Sequence, residues 1–172
     1  MTQDLTFRKF DGTLIEDVNS YVRNWNIENP HGEIIIGCDS QEHSRYVTYA
    51  IAIVMHFKDK WGGGHGAHVI KSVFKDKTLR TPKSARRGKN DFDTNALGGK
   101  LWKEVELTIQ TAKMLTDCNK KIKIHVDYNS DETAGSNFLF AAGVGYAIGE
   151  GYEAEGKPHA WAATKVADSL CR

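Results

Sequence analysis

The run Ile34-Ile35-Ile36 constrains this chain more than any other feature. It is preceded by the turn sequence Asn29-Pro30-His31-Gly32 and followed by Gly37-Cys38-Asp39. A short, unbroken apolar run between turn residues predicts a strand buried on both faces. Such a strand needs cover above and below, so the chain must supply helices as well as neighbouring strands.

The neighbours are legible along the sequence. Tyr46 to Phe57 is rich in β-branched and aromatic residues and predicts a long second strand. Gly62-Gly63-Gly64 predicts a hairpin turn, and Ala67 to Phe74 a third strand, which makes an antiparallel meander. Leu97 to Leu115 predicts a helix with an apolar face, and Lys121 to Asp127 a further strand. Ser136 caps a helix that runs to Ile148 and ends at Gly149 or Gly151. Tyr152 to Ala154 is a short strand, and Pro158 opens a last helix that runs to about Ser169. Strands joined through helices should lie parallel. Near the start, Leu14, Val18, Tyr21, Val22 and Trp25 recur at helical spacing after Asp11-Gly12-Thr13, which predicts another helix. The expected fold is α/β: a mixed five-stranded sheet, antiparallel meander plus parallel strands, flanked by helices. Residues 1–32 are expected as a helical extension packed on a domain spanning 33–172.

Composition narrows the function classes. A length of 172 residues fits one domain with a single sizeable core. No apolar run approaches the roughly 20 residues that span a bilayer. Met1 to Phe10 has no secretory h-region. The three cysteines, Cys38, Cys118 and Cys171, lie far apart, which suggests free thiols in a reducing cytoplasm. Lys plus Arg is 23 and Asp plus Glu is 22, so a net charge of +1 steers no polyanion toward the whole molecule. Nucleic-acid binding would need a local patch. Arg80, Lys83, Arg86, Arg87 and Lys89, in the polar stretch Lys75 to Asn95, form one; a solvated surface loop is the plain alternative.

Two strands end in a carboxylate. Asp39 closes the first and Asp127 closes Lys121-Ile-Lys-Ile-His-Val-Asp127. If these strands are parallel neighbours, both acids emerge at one sheet edge, where open α/β sheets bind ligands. A desolvated carboxylate there needs a cation, a metal or backbone N–H groups. Glu104 falls on the apolar face marked by Leu101, Thr108, Ala112 and Leu115, whereas Glu106 is turned to solvent. On the last helix Trp161, Lys165 and Asp168 share one side. Asp39 or Asp127 alone reads at least as well as a loop cap, Glu104 equally well as a snorkelled boundary residue, and Asp168 by default as a solvated C-terminal acid; Asp39 and Asp127 together favour a site. His65 and His68 flank a glycine turn and lack a third ligand, so zinc is not expected.

The order of elements and the placement of these acids resemble the ribonuclease H-like superfamily. Gly37-Cys38-Asp39-Ser40-Gln41-Glu42-His43, His125-Val126-Asp127 and Lys157-Pro158-His159-Ala160 resemble more closely its YkuK-like family, from about Glu33 to the end. Cys38 stands where that family usually has Thr, and His159 where Asp is expected. The resemblance implies a nuclease that uses two Mg²⁺ or Mn²⁺ ions about 4 Å apart. It would make Asp39 the bridging ligand, with Glu104 and Asp127 on the leaving-group ion and Asp168 on the nucleophile-side ion. Lys165 would contact the scissile phosphate. His125 could orient a ligand, although a hydrogen-bonded core histidine explains it better. The rival readings are a catalytically silent module that binds nucleic acid or protein, and phosphoryl transfer on a nucleotide. The lack of a glycine-rich phosphate hairpin counts against the last.

Overall fold

The computed structural model describes residues 3–77, 94–118, 122–129 and 137–171. Its centre is one mixed sheet. Strand β3 (Glu33–Glu42) carries the isoleucine run and pairs antiparallel with β4 (Val47–Lys58), which pairs antiparallel with β5 (Gly64–Asp76). On its other side β3 pairs parallel with β6 (Ile122–Asn129), and β6 pairs parallel with β7 (Glu153–Lys157). The expected meander and parallel strands are therefore present.

Among the described residues the sheet has seven strands rather than the five expected. The two additional strands, β1 (Phe7–Arg8) and β2 (Leu14–Ile15), form a hairpin, and the order across the sheet is β2-β1-β5-β4-β3-β6-β7. Asp11-Gly12-Thr13, expected to open a helix, is the turn of this hairpin. Gly12 has φ +91°, a left-handed conformation that suits glycine, and Thr13 N–H donates to Asp11 Oδ1 at 2.9 Å. Leu14 is consequently in β2, opposite Arg8, and not in the helix. Helix α1 (Val18–Glu28) begins after Asp17, whose Oδ1 accepts from Ser20 N–H at 2.9 Å. Leu14 sits four residues before Val18 and so mimicked a helical period. The stretch expected as a helical extension thus also adds two strands to the sheet.

Helices cover both faces. Ile34, Ile36 and Cys38 on β3 pack with α1, with α2 (Thr94–Met114) and with α3 (Asn137–Gly149), in a core that includes Val22, Trp25, Leu101, Val105, Ile109 and Ala147. Gly143 of α3 lies against the Tyr128 ring and Val105, leaving no room for a side chain there. Ile35 points the other way, as alternation along a strand requires. It packs with Ala52, Val54, Ala162 and Ala167 under the C-terminal segment, a π-helical turn (Ala162–Ala167) that continues into α4 (Asp168–Cys171). Among the described residues no helix is long and apolar enough to cross a membrane.

Candidate active site

The parallel pairing of β3 with β6 decides where the first two acids go. The last registered pair is Gly37 with His125, so Asp39 and Asp127 each lie two residues past the end of that pairing, where β6 also shifts register against β7. Asp39 does not end its strand, as expected from sequence. β3 runs on to Glu42, paired there only with β4, so Asp39 sits where β6 has left its flank. Alternation places Asp39 on the Ile35 side of the sheet, and Asp127 opposite Ile124 and Val126, on that same side. This is the face covered by the C-terminal segment. It packs on β3 and β4, and Cys171 Sγ–H donates to the Asp39 carbonyl at 3.2 Å. Half-buried Asp168 belongs to that segment.

Asp127 and Asp168 are within electrostatic reach of Asp39. Burial pushes the Asp39 carboxyl up to about 6, and the charges of Asp127 and Asp168 act in the same direction. The Ser40 N–H, which donates to Asp39 Oδ1 at 2.8 Å, and Lys100 act against the rise.

Glu104 approaches from the other side. It is 3% exposed on the inward face of α2. Ser40, the next residue after Asp39, turns toward α2, and its Oγ–H donates to Glu104 Oε1 at 2.5 Å. Glu104 Oε2 is buried with no hydrogen-bond partner. Burial pushes this carboxyl up to about 8; Lys100 and the Ser40 bond oppose the rise, while Asp39 and Asp127 add to it. Strand β3 therefore presents Asp39 to one face and holds Glu104 through Ser40 on the other.

Two cations in this region were not singled out from sequence. Lys100 Nζ donates to the Ser40 carbonyl at 3.3 Å. It lies one helical turn before Glu104, and that spacing was the available signal. Lys157 Nζ lies 2.8 Å from Asp127 Oδ1 as an ion pair. It opens the Lys-Pro-His-Ala segment, which entered only as a family mark.

The remaining candidates are placed differently. Lys165 is exposed on the π-helical turn. His125 is a core residue: it is 1% exposed, and its Nδ1 accepts from Ala162 N–H at 3.1 Å. Burial holds its imidazole down at about 4, despite the Glu155 carboxylate 3.6 Å from Nε2. His68 bonds Tyr21 Oη at 2.8 Å and His65 stacks on Phe57. Trp102 stacks on Tyr146, whereas Trp61 is 81% exposed at the β4–β5 turn. Arg80, Lys83, Arg86, Arg87 and Lys89 lie outside the described residues.

The donor set can be tested against a metal. Hard divalent cations take carboxylate oxygens. Asp39, Asp127, Asp168 and Glu104 supply only such oxygens, and Glu104 Oε2 is a buried acceptor with nothing to accept. The chemistry fits Mg²⁺ or Mn²⁺. Among the described residues, however, no three His, Cys, Asp or Glu are grouped closely enough to hold one ion.

A family model described as Ribonuclease H-like matches residues 13–172. No curated protein and no solved structure matches the chain.

Proposed function

The chain belongs to the ribonuclease H-like family, and from that footing we propose that it is a nuclease that hydrolyses phosphodiester bonds in DNA or RNA with two Mg²⁺ or Mn²⁺ ions. The Gly37-Cys38-Asp39-Ser40-Gln41 segment supports a place in the YkuK-like branch.

One observation carries the reading. Burial first, and neighbouring carboxylates second, hold Asp39 up to about 6 and Glu104 up to about 8; Asp127 and Asp168 act on Asp39, and Asp39 and Asp127 act on Glu104. Buried acids within electrostatic reach of one another gain from a bound cation. In this reading Asp39, Glu104, Asp127 and Asp168 would hold the ions, and the chemistry the ions would supply is activation of water and charge stabilisation at the leaving oxygen. Ser40 fixes the Glu104 carboxyl on its Oε1 side and leaves Oε2 for the ion. Lys165, exposed one turn before Asp168, is free to reach a substrate phosphate.

A second reading has one observation in its favour. Lys157 already compensates Asp127, as it would in a module that keeps the fold and only binds nucleic acid or protein. One experiment separates the two. Wild type and Asp39→Asn are incubated with Mn²⁺ and labelled single-stranded, duplex, hybrid and branched substrates, each read for cleavage and for mobility shift. Cleavage by wild type alone is expected. A shift by both proteins without cleavage would leave the binding module.

A further inference from the structure

Beyond β4, the face of the sheet that carries Asp39 opens to solvent. Residues directly opposite on paired strands share a face, so the register draws rows across the sheet. Asp39 stands opposite Ala50, and Ala50 opposite Val73. On one side the row is Gly37, Ala52, Lys71, Arg8 and Leu14. On the other it is Gln41, Thr48 and Lys75. Ala50 and Ala52 are wholly buried, whereas Val73 is 45% and Leu14 45% exposed. The result is a shelf on β5 and the β1–β2 hairpin, about 10 Å from the Asp39 strand at two strand spacings.

The side chains on this shelf are cationic and apolar by turns. Lys71 Nζ lies 4.8 Å from the centre of the Phe10 ring, and Phe10 is 59% exposed. Lys75 Nζ lies 4.6 Å from the centre of the Tyr46 ring. Among the described residues the Arg8 side chain donates only to the Gly12 carbonyl, at 3.0 Å. Among the described residues no carboxylate forms an ion pair with Arg8, Lys71 or Lys75. A cavity of about 370 Å³, lined by Lys9, Phe10, Asp11, Ala67, His68 and Val69, opens at the end of the shelf. That volume is within the range of small-ligand sites and admits a nucleotide unit.

We propose that this shelf, which flanks the C-terminal segment packed over Ala50 and Ala52, binds a single-stranded segment of nucleic acid: Arg8, Lys71 and Lys75 hold the phosphates, and Phe10 stacks a base. Unpaired cations in a row complement a phosphate backbone. Exposed apolar and aromatic surface between them suits the base faces of a single strand, which a duplex keeps stacked inside. An acidic peptide would satisfy the cations and leave Phe10 without a partner. The proposal rests on the nuclease reading, which supplies nucleic acid as the ligand class.

The test measures anisotropy of labelled oligo(dT), oligo(U) and a DNA duplex in EDTA over a salt series. The proteins are wild type, the triple variant Arg8→Gln/Lys71→Gln/Lys75→Gln, Phe10→Ala, and Lys60→Gln as an off-shelf control. The substitutions are at the surface, and circular dichroism checks the fold. Each lost single-strand phosphate contact lowers the salt slope by about 0.7, so the triple variant should lose about 2 in slope and bind at least about tenfold more weakly. Phe10→Ala should weaken binding without changing the slope, and Lys60→Gln should match wild type. Equal affinity and slope in wild type and triple variant would overturn the shelf and leave the nuclease reading standing. No binding by wild type would overturn the shelf, while the Mn²⁺ cleavage assay decides the nuclease reading separately. Tighter binding of the duplex, or competition by poly-glutamate as strong as by oligonucleotide, would overturn the single-strand assignment.

Discussion

The Ser40 hydroxyl is bonded to Glu104 Oε1 at 2.5 Å, and this is the described hydrogen bond that reaches a carboxyl otherwise sealed in the core. Ser40→Ala would leave both oxygens of Glu104 buried and unbonded. Stranding a buried polar group costs about 1–3 kcal/mol. Urea unfolding of Ser40→Ala should show a loss of that size, and the loss should shrink when Ser40→Ala is made in a Glu104→Leu background, which has no acceptor for the hydroxyl. The same loss in both backgrounds would mean that the bond does not support Glu104.

Two buried groups give the metal-free protein opposing pH responses. Glu104 titrates at about 8 in the fold against an ordinary 4.5, so the folded state holds its proton longer than the unfolded chain. Stability then falls as pH rises from about 4.5 through about 8. His125 titrates at about 4 against 6.5, so the unfolded chain binds the proton first, and stability falls as pH drops from 6.5 through about 4. Melting curves should show a stability maximum on the acid side of neutrality. Glu104→Gln should remove the decline above about pH 6, past the range in which Asp39 (held up to about 6) also contributes, raise Tm by a few °C at pH 8 and leave the acid limb in place. Mn²⁺ should raise wild-type Tm most at the alkaline end, where Glu104 gives up its proton. An alkaline decline that survives Glu104→Gln would assign it to another group.

Helix α3 contains a paired test of packing. At Gly143 a Cβ would run into the Tyr128 ring and Val105, whereas at Gly145 it would meet open space. Gly143→Ala should cost about 1–3 kcal/mol through overpacking. Gly145→Ala should stabilise by about 0.5–1 kcal/mol, because alanine is the better helix former. Equal effects in urea unfolding would mean that α3 does not seat on β6 as described.

The sequence carried the inner sheet better than its edge. Ile34-Ile35-Ile36 could belong only to a strand covered on both sides, and Tyr46 to Phe57 was too long and too β-branched for anything but its neighbour. The hairpin Phe7–Ile15 was illegible because each of its strands has two residues, too few to show alternation. Leu14 then completed a false helical period with Val18. At the site, Asp39 and Asp127 were legible because a polar residue ending an apolar run needs a reason. Glu104 was legible from its place on an apolar helical face. Lys157 was not, because its pairing with Asp127 depends on β7 lying beside β6, a neighbour relation that periodicity does not encode.

That ion pair makes the last prediction. Lys157 Nζ sits 2.8 Å from Asp127 Oδ1, with side chains 39% and 20% exposed. A cation approaching Asp127 must displace the ammonium or share the carboxylate with it, so Lys157 competes with the metal. At this exposure the pair is worth no more than about 1 kcal/mol, which corresponds to about fivefold in a dissociation constant. Lys157→Gln should therefore bind Mn²⁺ more tightly by up to about fivefold in calorimetry, while Asp127→Asn should weaken binding in either background. If Lys157→Gln instead weakens Mn²⁺ binding, Lys157 positions Asp127 for the ion and does not compete with it, and the orientation of that carboxylate in the metal-free protein is already the bound one.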